Sequence, residues 1–262
     1  DSDFPAMAST LKGGLSFALS GFPFWSHDIG GYFMTPEDDC YIRWLQLGMF
    51  SSHARFHGTS PREPWHFGEK AVEVYKKFAE IRYKLIPYIY SEAYKCANNS
   101  TPMMKPLVLE YEDDPNVTNI DDQYLFGTNI LVAPILTKQD RRQIYLPEGK
   151  WIDFWTKEEY EGKRWINYQS TLEEMPIFIK KGSIIPTGPK MQYVGEKEID
   201  PLTINIYHKN KEEYLYYDHN EQFIIKCENK GEEIQITFGP SQKIILIKLF
   251  TKSAFNSDAK IN

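Results

Sequence analysis

Cysteine is scarce in this 262-residue chain: Cys40, Cys96 and Cys227 stand far apart, with no Cys-x-x-Cys pair and no histidine at ligand spacing. That pattern argues against a disulfide framework and against a zinc site, and it fits a reducing, cytoplasmic compartment. A clustered basic surface is also lacking. The formal net charge is −6, and lysines are interleaved with acids in Lys157-Glu158-Glu159 and Lys211-Glu212-Glu213, so nothing is built to displace counterions from a phosphate backbone. No window approaches the roughly 18 apolar residues of a membrane span. Neither nucleic acid nor a membrane is therefore expected as a partner. The opening Asp1-Ser2-Asp3-Phe4 carries no methionine and no basic start leading into an apolar stretch. No secretory signal is expected there, and residue 1 need not be the natural start.

What is present is globular: 42% of residues are hydrophobic and 25% charged, and the length suits two or three compact units. Aromatic residues make up 15%, enough for dense cores or for surfaces that stack on sugars. Residues 1–102 alternate short apolar runs, such as Leu15 to Leu19 and Phe22 to Trp25, with helical patterns, as in strand and helix units around a parallel sheet. Thr35, ahead of Glu37-Asp38-Asp39, is expected to cap a helix whose first turn is acidic. Val74, Phe78, Ile81, Leu85 and Ile89 recur at three- and four-residue steps and predict one long helix kinked at Pro87. The turn formers Asn98-Asn99-Ser100-Thr101-Pro102 mark the first boundary. Residues 103–187 hold strand-length runs at Leu107 to Leu109, Ile130 to Ala133, Gln143 to Leu146 and Ile177 to Ile179, which predict an antiparallel β-sandwich. Residues 188–262 alternate with period two at Leu202 to Tyr207 and Ile234 to Phe238 and predict a second, smaller one.

A strand ending in Trp25-Ser26-His27-Asp28 before Gly30-Gly31 sets polar side chains at its carboxyl end, where α/β enzymes build their sites; an ordinary strand-to-loop turn gives the same pattern. The run Phe24-Trp25-Ser26-His27-Asp28-Ile29-Gly30-Gly31-Tyr32 closely resembles the seventh-strand motif of glycoside hydrolase family 31 α-glycosidases. Phe is usual there in place of Tyr32. Ser51-Ser52-His53-Ala54-Arg55-Phe56-His57-Gly58 with Arg62-Glu63-Pro64-Trp65 resembles the eighth-strand motif. Arg82-Tyr83, Pro87-Tyr88-Ile89-Tyr90 and Tyr145-Leu146-Pro147-Glu148-Gly149-Lys150-Trp151 are similar to later family segments, in order.

The resemblance implies the last two units of a (β/α)8 TIM barrel in residues 1–102, then proximal (103–187) and distal (188–262) antiparallel β-sandwich domains. It implies a retaining, exo-acting enzyme that hydrolyses terminal α-xylosides by double displacement between two carboxyl groups, with α-glucosidase as the alternative. Both reacting aspartates are expected upstream of Asp1, so no catalytic residue is assigned here, and a non-catalytic β-rich fragment stays open. Asp28 and His57 match positions that bond sugar hydroxyls, and Tyr32 an aromatic that covers the ring. Arg55 is expected to orient Asp28, or else to form a buried ion pair between strand ends. Trp25 lines the pocket or fills the core; His27 and His53 are expected to pack or support. No metal, nucleotide or redox cofactor is implied. The expected partners are an oligosaccharide ending in α-linked xylose or glucose and the N-terminal part of the same enzyme, with a homo-oligomer also open. Because a barrel must close to bury its sheet edges, the isolated chain is expected to aggregate or to bind its missing half. A monodisperse monomer in light scattering contradicts this.

Overall fold

Residues 1–251 are described by the computed structural model. The first element, α1 (Phe4–Leu19), starts where Asp3 supplies a cap: its carboxylate accepts the Ala6 N–H at 2.8 Å. Pro5 in the first turn costs no hydrogen bond. Phe4, Met7, Leu11, Leu15 and Ala18 form its buried stripe. Leu15 to Leu19 is thus the last turn of a helix, which corrects the expected separate apolar run, and Phe17 and Leu19 face outward.

Helix α2 (Asp38–Met49) has Asp38 and Asp39 in its first turn, as the helix dipole favours. Thr35 does not cap it; Glu37 holds that position without a capping side-chain bond, and the Thr35 hydroxyl donates to Ser60 Oγ at 3.1 Å instead. The expected kinked helix is two helices, α3 (Gly68–Lys84) and α4 (Ile86–Asn99), joined at Leu85. Pro87 lies in the first turn of α4, where its missing N–H is no loss, so a fresh helix starts instead of a bent one continuing. Ser100, at φ 56°, ends α4 in the left-handed conformation.

Between Leu19 and Asp38 no strand is assigned. The expected strand end at Asp28 is reduced to one parallel bridge, Asp28 to Arg55, with Ile29 N–H donating to Arg55 O at 3.0 Å. A strand is defined by its ladder, and these two segments share only that rung among the described residues.

The rest is β-rich. β1 (Met104–Pro106) is followed by a single helical turn, α5 (Leu107–Glu110), where a strand run was expected. Next come β2 (Tyr124–Phe126), β3 (Ile130–Val132), β4 (Arg141–Leu146), β5 (Lys150–Asp153), β6 (Glu159–Glu161), β7 (Arg164–Gln169) and β8 (Ile177–Lys180). Six of these form an antiparallel sheet in the order β1-β2-β3-β8-β5-β6, and β4 pairs with β7 as a separate antiparallel ribbon. Ile144 and Leu146 of β4 share one core with Leu125, Leu131, Trp151 and Phe178 of the larger sheet.

β9 (Ser183–Thr187), β10 (Leu202–Tyr207), β11 (Lys211–Tyr217), β12 (Gln222–Lys230), β13 (Glu233–Phe238) and β14 (Ile245–Phe250) complete the chain. β9 pairs with β10, so the distal sheet begins before the expected boundary at 187. β10 and β14 run parallel, which corrects the wholly antiparallel expectation. β11, β12 and β13 form a second, antiparallel sheet. One core runs from Phe4 and Leu11 of α1 to Ile225 and Cys227 of β12, so helices and distal strands are not independent.

Gly14 shows how tightly α1 is seated: a Cβ there lies 2.1 Å from the Trp25 ring. Gly14→Ala is expected to lower stability by about 1–3 kcal/mol by overpacking, despite alanine's better helix propensity, and denaturant unfolding measures it.

Candidate functional site

Side chains along an extended segment alternate between faces, and the residues before Gly30 do so. Trp25 lies across Gly14 of α1, His27 meets Trp44 of α2, and Ile29 fills the space over Gly48 of α2. Asp28 points the other way. In the partner segment Phe56 stacks near Tyr41 of α2 and meets Tyr75 of α3 edge-on, which leaves Arg55 and His57 on the same side as Asp28.

On that side, Arg55 Nη2 reaches Asp28 Oδ1 at 2.5 Å. The contact is an ion pair and not an aligned hydrogen bond, since the same oxygen has no hydrogen-bond partner. The Arg55 side chain is 57% exposed and that of Asp28 15%, so the buried pair considered from the sequence is not what forms. Such a pair adds about 0–1 kcal/mol to stability, and its main effect is to hold the carboxylate's direction. The Tyr32 ring lies 5.5 Å from the His57 ring, tilted by 40°, and both are exposed. Asp28 with Arg55 and Tyr32 with His57 are thus two contacting pairs on the same side of these segments, which forms one rim. Trp25 does not join them: it is 8% exposed and faces the helices, because it is an odd step from Asp28.

Arg62, whose role the sequence motif left unassigned, anchors the loop carrying Tyr32. It is 3% exposed and donates to Gly31 O at 2.9 Å, Met34 O at 2.5 Å and Ser60 O at 3.2 Å. Burial lowers its pKa from the usual guanidinium value, and those carbonyls take the place of a carboxylate partner. Thr59 N–H donates to Tyr32 O at 2.8 Å. From the other side Ser2 donates to Phe33 O, and the Asp1 carbonyl presses on Gly31, where a Cβ lies 2.1 Å from that oxygen. Gly31, at φ 77°, is therefore the residue this turn requires. Asp3, as the cap of α1, is committed to structure.

Two hollows occur elsewhere, one of about 540 Å³ between β4 and β7 and one of about 470 Å³ beside α5. Neither is lined by a residue of the rim.

His27 supports the site from behind. It is buried, with Trp44 Nε1 donating to its Nδ1 at 3.1 Å and Ser51 Oγ 2.9 Å from Nε2. Nδ1 is thus an acceptor, Nε2 carries the proton, and Ser51 passes its own to Leu47 O at 3.0 Å. Burial, the largest influence, lowers the His27 pKa to about 4. The unfolded chain then binds more protons below about pH 6.5. Stability is expected to fall as pH drops from about 6.5 to about 4, by about 3 kcal/mol in all, and to level off below. In His27→Gln that part of the slope disappears. Urea unfolding across this range measures both.

Residues 1–92 match the profile described as "Glycosyl hydrolases family 31 TIM-barrel domain" and residues 100–185 that described as "Glycosyl hydrolase family 31 C-terminal domain". An α-xylosidase of Saccharolobus solfataricus is 35% identical over 94% of this chain and 37% of its own length. The α-xylosidase XylQ of Lactiplantibacillus pentosus is 40% identical over 86% of this chain and 31% of its own. The chain thus spans about a third of these relatives. A family 31 dextranase of Flavobacterium johnsoniae, solved as a mutant complexed with isomaltotriose, superposes with a TM-score of 0.89 at 33% identity, covering 96% of this chain and 35% of that one.

Proposed function

This chain belongs to glycoside hydrolase family 31, and from that membership we propose that the protein it is part of is a retaining, exo-acting α-glycosidase releasing terminal α-linked xylose from oligosaccharides. The observation carrying this reading is that the pairs Asp28 with Arg55 and Tyr32 with His57 lie on one face. A carboxylate and an imidazole on one face can bond sugar hydroxyls, and a tyrosine face covers the C–H groups of a pyranose. Arg55 holds the Asp28 carboxylate in position while remaining half in water.

The reacting pair comes from outside residues 1–262. Hydrolysis with retention needs two carboxyl groups about 5 Å apart, one attacking the anomeric carbon and one protonating the leaving oxygen before activating water. The β-rich units, as two sandwich domains, brace the barrel. Xylose is favoured by the two α-xylosidase relatives, and the dextranase favours a glucose-specific enzyme as the second reading. Three free, buried thiols support a cytoplasmic location.

The full-length protein, given p-nitrophenyl α-xyloside and α-glucoside in parallel, is expected to turn over the xyloside with the higher kcat/KM. Asp28→Asn should lower kcat/KM by roughly 10- to 100-fold, the worth of a hydrogen bond to a charged group. Turnover of neither substrate by well-folded protein ends the glycosidase reading.

A further inference from the structure

We propose that His208, Glu212 and Cys227 form a divalent-cation site, suited to Zn²⁺, that staples together the two distal sheets. All three side chains are buried, and their ligand atoms lie within 4.8 Å of one another. They come from separate places: His208 follows β10, Glu212 lies on β11 and Cys227 on β12. Spacing along the sequence argued against zinc because these residues meet only once the strands are folded. This inference does not depend on the sugar-binding reading.

The geometry is built as a ligand set. Asn229 Oδ1 lies 2.8 Å from His208 Nε2, and an amide oxygen there fixes the proton on Nε2. Nδ1 is thereby turned toward Glu212 Oε2 at 2.6 Å and Cys227 Sγ at 3.4 Å. The other carboxylate oxygen, Oε1, is held by the N–H groups of Lys209 and Asn210 at 2.7 and 2.9 Å. Each of His208 and Glu212 is thus oriented from behind with one atom free to face a shared point. At that distance Nδ1 and Oε2 are joined by a hydrogen bond, which a cation would replace.

Tetrahedral zinc with bonds of about 2.0 Å to N and O and about 2.3 Å to S sets nitrogen and sulfur roughly 3.5 Å apart, and nitrogen and oxygen roughly 3.3 Å apart. The first separation is already present. The second needs Glu212 to draw back by about 0.7 Å. Imidazole and thiolate select zinc over magnesium or calcium, and water completes the coordination. Cation entry displaces the protons on Sγ and between Nδ1 and Oε2.

The test uses the full-length protein stripped with EDTA and titrated with Co²⁺ and with Zn²⁺. One equivalent of Co²⁺ should give a near-ultraviolet thiolate charge-transfer band, lost in Cys227→Ser, and Zn²⁺ should raise Tm. His208→Ala should weaken binding at least 10-fold. Absence of both the band and the Tm shift overturns the proposal, as does a band that survives Cys227→Ser. Should that variant not fold, zinc-edge X-ray absorption on the unaltered protein decides: one sulfur at about 2.3 Å supports the site, and a shell of nitrogen and oxygen alone refutes it.

Discussion

Ile29 N–H donates to Arg55 O, and that one backbone bond lays two chain segments side by side in parallel with Asp28 opposite Arg55. Period-two alternation then does the rest of the sorting. With this register, Trp25, His27, Ile29 and Phe56 go to the helices, and Asp28, Arg55 and His57 to the rim. A slip of one residue would exchange the two sets, burying the carboxylate against α1 and α2 and exposing a tryptophan. The helix side resists such a slip because its partners fit single positions: Gly14 has no Cβ because Trp25 covers it, and Gly48 none because Ile29 does.

Tyr32 depends on a second constraint, since it lies beyond the paired register in a loop with no ladder. A buried guanidinium supplies the missing order. Arg62 collects carbonyls from Gly31, Met34 and Ser60, and taking that cation out of water is tolerable only because its donors all find oxygen. Positive φ at Gly31 and the Asp1 carbonyl against it close the turn from the opposite side.

Asp28, Arg55, Tyr32 and His57 were legible in the sequence because they belong to contiguous motifs whose polar residues and glycines are distinctive. The face of Trp25 was legible too, by counting three steps from Asp28, an odd number, but a motif match does not distinguish the two faces of a strand. Other features lay beyond local pattern. Leu15 to Leu19 has a strand-like apolar run, and only the cap at Asp3 and the seat under Trp25 make it helical. Leu107 to Leu109 has the composition of a strand and turns helical within a tertiary core shared with Val117. The parallel pairing of β10 with β14 joins segments some forty residues apart, a choice that alternation on each strand leaves undecided. The meeting of His208 with Cys227 is of the same kind.

Attachment of β-rich units to this rim has a physical reason that runs through α2. Its outer face is bound to them: Arg43, 2% exposed, donates to Thr171 O at 2.9 Å and Glu174 O at 2.8 Å and pairs with Asp140, while Gln46 donates to Leu172 O at 2.7 Å. Its carboxyl end is held by Arg82 of α3, which donates to Met49 O and Ser51 O at 2.7 and 2.8 Å, and by Tyr124 of β2, which donates to Phe50 O at 2.9 Å. Burial lowers the Arg82 pKa to about 10, which leaves it charged at neutral pH and well placed against the negative end of the helix dipole. The inner face of the same helix carries Trp44 and Gly48, the partners of His27 and Ile29 on either side of Asp28. One almost wholly buried helix thus contacts the β-rich units on one face and the residues flanking the carboxylate on the other. Through that helix those units brace the rim that carries Asp28 and Arg55.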